Sequence, residues 1–474
     1  MSRFAAVGLA LLGVVPAAQE TGAPPRPNFL VILCDDLGYG DLGCYGHDTI
    51  RTPRLDRLAA EGLRLTDGYS ASPLCSPARA GLLTGRTPSR TGVYSWIPDG
   101  NPMYLPREER TVAALLSEAG YATGHFGKWH LNGTLGSGEQ PQPGDHGFEH
   151  WFSTQNNARP SHIDPKNFVR NGEPVEDLQG SACYLVANEA VSWLMRVQME
   201  GRPFFAFVCF HEPHEPVASP PALVREYTEA GVEPKNRAQY YANVTNMDGA
   251  VERLLAALDL LGLAESTLVW FTSDNGPETL NRYRGAGRSY GSAGPLRDMK
   301  LSTYEGGIRV PAILRWPGRI EAGRVSSTPV SAVDVLPTLC ELAGVEPPGD
   351  RILDGVSVVP LLEGGELERG KPLFWHYYAA PHGAPAALRM GPWKLVGFRD
   401  GPREHKAGGF FNAAAMESLR GDELAEFELY DLAADVGEGN DLAEEWPGRA
   451  AALRAQLVAL FEEVIGEGPG WEFP

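Results

Sequence analysis

Residues Phe29-Leu30-Val31-Ile32-Leu33-Cys34 form an unbroken apolar run that ends abruptly in Asp35-Asp36, followed by Leu37-Gly38-Tyr39-Gly40-Asp41. A short run with no polar member, containing branched and aromatic residues, reads as a strand buried on both faces, the pattern of a parallel sheet covered by helices on either side. The same signature returns at Phe204 to Phe210, Thr267 to Thr272 and Pro311 to Trp316, and Tyr121 to Phe126 reads as a further strand. Between them Thr52 to Leu65 and Tyr240 to Leu261 are amphipathic helices, and Arg110 to Glu118 and Ser331 to Ala343 also read as helical. Strands interleaved with helices predict an α/β class, a doubly wound and mostly parallel sheet.

Beyond about residue 350 the pattern changes. Pro372 to Tyr378, Ala386 to Met390 and Trp393 to Phe398 read as strands, the last two joined across a tight turn at Gly391-Pro392. Glu428 to Leu432 reads as a fourth, and Trp446 to Glu467 closes the chain as an amphipathic helix. Strands without intervening helices predict a smaller C-terminal antiparallel sheet covered by one helix. The organisation expected is an α/β catalytic unit over 27–350 and an α+β subdomain over 351–474.

The chain of 474 residues is long enough for one large and one smaller unit. Its 43% apolar and 21% charged residues are a soluble globular mix, which excludes a disordered or fibrous chain. A net charge of −19 repels polyanions and argues against nucleic-acid or anionic-membrane partners. An anionic substrate must therefore meet cations inside its own site. At the start, Arg3, the apolar run Phe4 to Val15 and Pro16-Ala17-Ala18 read as a signal peptide over 1–18, ahead of a polar, Pro-rich spacer to Pro27. The run is too short to cross a bilayer, and no later run approaches that length, so a periplasmic or secreted protein without a membrane span is predicted. The six cysteines (Cys34, Cys44, Cys75, Cys183, Cys209, Cys340) form no C-x-x-C pair, and Cys34 and Cys209 fall within apolar strands as core residues.

Chemistry concentrates just past the strands. Asp35-Asp36 and Asp274-Asn275-Gly276 each follow an apolar run, where open α/β sheets bind ligands. Three carboxylates and an amide make a hard, all-oxygen set suited to Ca²⁺ or Mg²⁺, although either pair alone also fits a helix cap or turn. In Cys75-Ser76-Pro77-Ala78-Arg79, Pro77 suits the first turn of a helix and Gly85 its stop. Cys75 is thus expected at a helix N-terminus with Arg79 one turn on, a setting that lowers a thiol pKa, and the Pro- and Ser-rich surround argues against burial. Lys128 and His130 follow one strand, His211 and His214 another, and Lys300 precedes Tyr304-Glu305-Gly306-Gly307. A lone Lys or His in such loops is ordinary. Six such segments carrying hard ligands, a nucleophile, cations and imidazoles fit a hydrolase of anionic esters.

With these motifs in this order, the sequence resembles the formylglycine-dependent sulfatases of the alkaline-phosphatase superfamily, most closely the arylsulfatase type. Cys75-Ser76-Pro77-Ala78-Arg79 satisfies that family's C-x-P-x-R motif, Gly81 to Arg86 continues it, and the likeness runs from Pro27 to about Gly344. A looser echo at Leu429-Tyr430-Asp431-Leu432 is followed by Asp435-Val436-Gly437-Glu438, where Asp-Pro is common. The resemblance implies an alkaline-phosphatase-like fold and conversion of Cys75 to formylglycine by a formylglycine-generating enzyme. It also implies one divalent cation, usually Ca²⁺, held by Asp35, Asp36, Asp274 and Asn275 with residue 75.

In the same implied scheme the hydrated aldehyde attacks sulfur to give a covalent sulfoenzyme, Asp274 accepts the nucleophile's proton, and Arg79 stabilises the diol. Lys128 and Lys300 clamp sulfate, His214 protonates the leaving alcohol with His211 beside it, and His130 removes the proton that expels sulfate. The expected activity is hydrolysis of sulfate monoesters, those of sulfated carbohydrates above all. A phosphoesterase or phosphonate monoester hydrolase of the same superfamily, or a non-catalytic binder of sulfated glycans with Cys75 unmodified, are the rivals. Contacts beyond the sulfate are expected from loops near 151–180 (Asn156, Asn157, Arg159, His162) and from the C-terminal part. There His376 and His382 end or follow a strand and can overhang a pocket.

Overall fold

Alternate residues of the first apolar run enter different cores. In strand β1 (Asn28–Asp35) Phe29, Val31 and Leu33 pack into one and Leu30, Ile32 and Cys34 into the other, and all eight residues are buried. The computed structural model describes residues 26–400 and 411–473, so the leader-like segment 1–18 lies outside the described residues. Around β1 the main sheet is built from β2 (Leu63–Leu65), β3 (Ala122–Lys128), β4 (His150–Thr154), β5 (Val169–Arg170), β6 (Glu173–Pro174), β7 (Phe204–Pro213), β8 (Thr267–Ser273), β9 (Ala312–Arg315) and β10 (Arg324–Ser326), in the spatial order β10-β2-β9-β8-β1-β7-β3-β4-β5-β6. The central β8-β1-β7-β3-β4 ladder is parallel. β9 runs antiparallel to both β8 and β2, which makes the sheet mixed at that side.

Helices cover both faces. Side chains of α1 (Pro53–Ala60), α4 (Ala182–Glu200) and α6 (Lys235–Leu260) pack on one, and those of α2 (Cys75–Thr84), α3 (Val112–Glu118) and α8 (Val335–Ala343) on the other. α4 and the shorter α5 (Pro221–Glu229) went unread in the sequence. The helix expected over Thr52 to Leu65 instead stops at Ala60, and Leu63–Leu65 turns into β2. The break is at Gly62, where a Cβ would lie 2.1 Å from the Leu314 carbonyl oxygen, an approach only glycine allows. Leu63 and Leu65 then alternate inward around Arg64, a period that the apolar pattern of the preceding helix conceals.

The C-terminal strands β11 (Leu373–His376), β12 (Ala386–Met390), β13 (Trp393–Arg399) and β14 (Leu424–Asp431) form an antiparallel sheet in chain order, with Met390 opposite Trp393 across the Gly391-Pro392 turn. Leu388, Leu395 and Leu429 pack under the closing helix, Pro447–Glu467, through Leu453, Leu457 and Phe461. The other face, through Trp375, Val396 and Phe398, packs on Tyr69, Tyr304 and Ile308 of the main unit.

A buried ionic cluster ties the two sheets together. Lys394 on β13 lies 2.9 Å from Glu305 and 2.8 Å from Glu438, Tyr69 donates to Glu305 at 2.6 Å, and Glu438 accepts the Glu305 N–H at 2.7 Å. Arg309 and Arg389 both pair with Asp67. In the segment that departs from the common Asp-Pro pattern, Glu438 adopts a φ of 51° and its carboxylate is sealed into this cluster. Glu305 opens the one-turn helix α7 (Glu305–Ile308), five residues past Lys300, so the C-terminal sheet braces the segment that carries that lysine.

Candidate active site

Four parallel strands deliver their carboxyl ends to one place. β1 brings Asp35 and Asp36, β3 brings Lys128 and then His130, β7 leads to His214, and β8 leads to Asp274 and Asn275. α2 begins there with Cys75, its last turn closed by Gly85 in the left-handed conformation. The strands approach too closely for ordinary residues beside the functional ones. A Cβ on Gly127, which has a φ of 104°, would stand 1.9 Å from the Cys209 carbonyl oxygen, and one on Gly276 would stand 1.9 Å from that of Gly306. Glycine at these two points lets Lys128 and Asn275 sit against their neighbours.

The side chains interlock. Lys128 Nζ is 2.7 Å from Asp35 Oδ2 and Lys300 Nζ is 2.6 Å from Asp36 Oδ1, with all four groups buried. Asn275 Nδ2 donates to Asp36 Oδ1 at 2.7 Å. Arg79 forks onto Asp274 Oδ2 through Nε at 3.1 Å and Nη2 at 2.7 Å, and its Nη1 donates to the Lys128 carbonyl at 2.7 Å. His214 Nε2 faces Asp36 Oδ2 at 3.5 Å, and its Nδ1 is 2.5 Å from the Glu215 carbonyl oxygen. Buried and without hydrogen bonds stand Asp35 Oδ1, Asp36 Oδ2 and Asn275 Oδ1, together with both nitrogens of His130. One ligand atom from each of Asp35, Asp36 and His214 falls within 4.8 Å of the others.

Three carboxylates this close and this deep cannot all stay ionised without compensation. Burial, with Asp35 as a further negative neighbour, pushes Asp36 and Asp274 each up to about 6 against the pull of Lys300 and Arg79. Asp35 is itself buried, but Lys128, His214, Arg79 and Lys300 together hold it well below the usual carboxylate range. Burial drives His214 down to about 4 and His130 well below the ordinary imidazole value, so both rings are neutral near pH 7. Lys300 is held above the usual ammonium range because Asp36 outweighs its burial. The sequence-based expectation for Cys75 is corrected here. The residue is 3% exposed, and burial pushes its thiol pKa up although Lys128 and Lys300 pull the other way.

Cys75, His130, His214 and Lys300 line a cavity of about 420 Å³, and Asn156, Asn157 and Arg159 form part of its wall. The structure thus brings together Asp35, Asp36, Cys75, Arg79, Lys128, His130, His214, Asp274, Asn275 and Lys300. It places His376 and His382 elsewhere. His376 is buried with Nδ1 2.8 Å from Ser89 Oγ and its ring against Phe461, because the end of β11 points under the closing helix. His382 is half exposed and pairs with Asp298 at 3.2 Å. His162 is buried away from the cavity lining, and His211 is spent on Thr154 Oγ1 at 2.7 Å. Trp96, Glu278, Arg282 and Tyr283, unread in the sequence, complete the wall.

The chain is similar to known proteins over most of its length. The sulfatase family model matches residues 27–345, and a model for the C-terminal region of N-sulphoglucosamine sulphohydrolase matches 298–406. N-acetylgalactosamine-6-sulfatase of Canis lupus familiaris is 39% identical over 78% of this chain and 73% of its own length. Arylsulfatase A of Homo sapiens is 38% identical over 95% of this chain and 89% of its own. Among solved structures, Ps i-CgsB in complex with k-i-k-neocarrahexaose superposes with a TM-score of 0.79 at 27% identity, covering 95% of each chain.

Proposed function

The chain belongs to the sulfatase family and is a sulfatase, and from that premise we propose that it cleaves sulfate monoesters of sugars with residue 75 as nucleophile and one hard divalent cation in the Asp35-Asp36-Asp274-Asn275 quartet. The observation that carries this reading is the set of buried, unbonded oxygens Asp35 Oδ1, Asp36 Oδ2 and Asn275 Oδ1 beside Cys75 and two buried lysines. Oxygen donors of this number and charge suit Ca²⁺, with Mg²⁺ second, and not a softer metal. When bound, the cation supplies Lewis-acid charge that polarises ester oxygens and lowers the pKa of a hydroxyl held against it. The reading includes oxidation of Cys75 to formylglycine by a maturation enzyme, and export directed by the leader-like first residues.

The protein's own groups take distinct parts. Lys128 and Lys300 carry the positive charge that sulfate oxygens need in an otherwise acidic chain. Because the Glu215 carbonyl can only accept, His214 Nδ1 must carry hydrogen, so Nε2 is bare in the neutral ring and hands a proton to the departing alcohol only from the imidazolium form. His130, neutral and with both nitrogens unpaired at the cavity wall, is the base. Arg79 fixes Asp274 and the Lys128 backbone in one grip. The aromatic walls Trp96 and Tyr283, with the amides of Asn156 and Asn157, suit a saccharide, and relatives named for an amino-sugar sulfate support that choice.

Weighing the peptide that spans residue 75 after co-expression with a maturation enzyme, and assaying the same preparation on 4-nitrophenyl sulfate and on defined sugar sulfates, tests the reading. Full activity with an unmodified thiol would contradict it, as would Lys128→Ala or His214→Ala variants that keep their kcat/KM.

A further inference from the structure

One basic group at the cavity has no part in the bond-breaking chemistry. Arg282 lies on the segment after Asp274-Asn275-Gly276, and its Nε and Nη2 each donate to Glu278 at 2.7 Å. The guanidinium carbon stands 5.2 Å from the centre of the Tyr283 ring, so the group is fixed on two sides. Glu278 is 4% exposed and also faces Lys300 Nζ at 3.9 Å, which ties the position of Arg282 to the sulfate-binding lysine. A guanidinium offers five N–H donors and Glu278 takes two, so Nη1 and the outer Nη2 hydrogen remain for a ligand. The side chain keeps 26% of its surface accessible, at the cavity wall. Arg159, paired with Asp99 at 2.9 Å and exposed, also lines the cavity.

Resting on the sulfatase reading above, we propose that Arg282 forms a second oxyanion subsite that takes a further sulfate or a carboxylate on the same saccharide as the scissile sulfate. Recognising neutral hydroxyls needs no cation, and amides at Asn156 and Asn157 already serve there. A planar fork held rigid by its own carboxylate is suited to two oxygens of one anion, and preorganisation lowers the entropy cost of engaging them. In a chain of net charge −19, cations confined to the cavity select which anion is drawn in. Arg282 is a specificity-determining residue under this proposal, separate from the groups that act on the ester.

The test compares three substrates with the matured, cation-loaded enzyme: N-acetylgalactosamine 6-sulfate, its 4,6-disulfate, and a disaccharide that joins the 6-sulfated sugar to glucuronate. The wild type should favour at least one doubly anionic substrate over the monosulfate. Arg282→Gln should erase about tenfold of that preference, mostly through KM, while Arg282→Lys restores part of it by keeping charge without the fork. Preference for the disulfate assigns the subsite to sulfate, and preference for the uronate assigns it to carboxylate. No preference in the wild type, or an equal loss on all three substrates in a Gln variant that melts normally, would overturn the proposal. If no sulfate ester were turned over at all, the hydrolase reading would fall. Calorimetric binding of the same sugars to the Cys75 form and its Arg282→Gln variant would still decide the subsite.

Discussion

Arg79 Nη2 lies 2.7 Å from Asp274 Oδ2 with both side chains almost wholly buried, and Nη1 of the same guanidinium donates to the Lys128 backbone. One side chain thus joins the first turn of α2 to the ends of two strands. Arg79→Ala strips the buried Asp274 Oδ2 and the Lys128 carbonyl of the guanidinium that engages both. The expected loss is about 3–5 kcal/mol of stability by urea unfolding, with aryl sulfate kcat/KM falling by about a hundredfold or more. Arg79→Lys keeps the charge but not the fork, and should recover only part of either loss.

Adding or removing a divalent cation should move the melting temperature. With Asp35 Oδ1, Asp36 Oδ2 and Asn275 Oδ1 buried and unbonded, Ca²⁺ at a hundred times its dissociation constant stabilises the fold by about 2.7 kcal/mol, and a chelator reverses it. Asp36→Asn should remove most of this difference. An Asp36→Asn variant that still responds like the wild type would place the cation elsewhere.

His376 makes a prediction about acid. Burial lowers its pKa to about 3, so the folded state keeps it neutral while the unfolded chain binds a proton below about 6.5. More protons on the unfolded state mean that stability falls as pH drops through that window. The loss attributable to His376 should reach about 2 kcal/mol at pH 5 relative to neutral pH. Replacing it with Gln, which can still meet Ser89 Oγ, should flatten the pH dependence of urea unfolding by that amount.

Lys394 sits between two buried carboxylates. Lys394→Met leaves Glu438 without its cation and Glu305 with Arg309 alone, at an expected cost of about 3–5 kcal/mol, and Lys394→Met with Glu438→Gln should return a good part of it. Because Glu305 opens the helix after Lys300, the single variant should raise KM for a sulfate ester more than it lowers kcat. Urea unfolding and steady-state kinetics on the same preparations read both effects.

Much of this architecture was legible because buried parallel strands leave a sharp record. The runs at 29–34, 204–210 and 267–272 have no polar interruption, and whatever polar residue follows them must stand at a strand end. Asp35, Asp36, Asp274 and Asn275 could be placed by that argument alone. The same argument misled at His376, since sequence says that a strand ends but not which way its sheet faces. The C-terminal sheet turns that end of β11 under its own helix. The thiol of Cys75 was misjudged for a related reason. A helix N-terminus and an arginine are local features, whereas the burial that decides its pKa comes from packing with segments far away in the chain, against the pull of Lys128 and Lys300. Trp96, Glu278, Arg282 and Tyr283 lie on irregular segments with no periodicity to read, and only the fold gathers them.

Asp36 and Asp274 stand 238 positions apart in the chain and touch only through neighbouring strands at the middle of the sheet. No fragment or half-open form can therefore hold a weakened copy of the centre. Partial heating or proteolytic nicking of a batch should then subtract whole molecules and leave the survivors' Michaelis constant where it was. For this protein the measured rate is a headcount of intact chains.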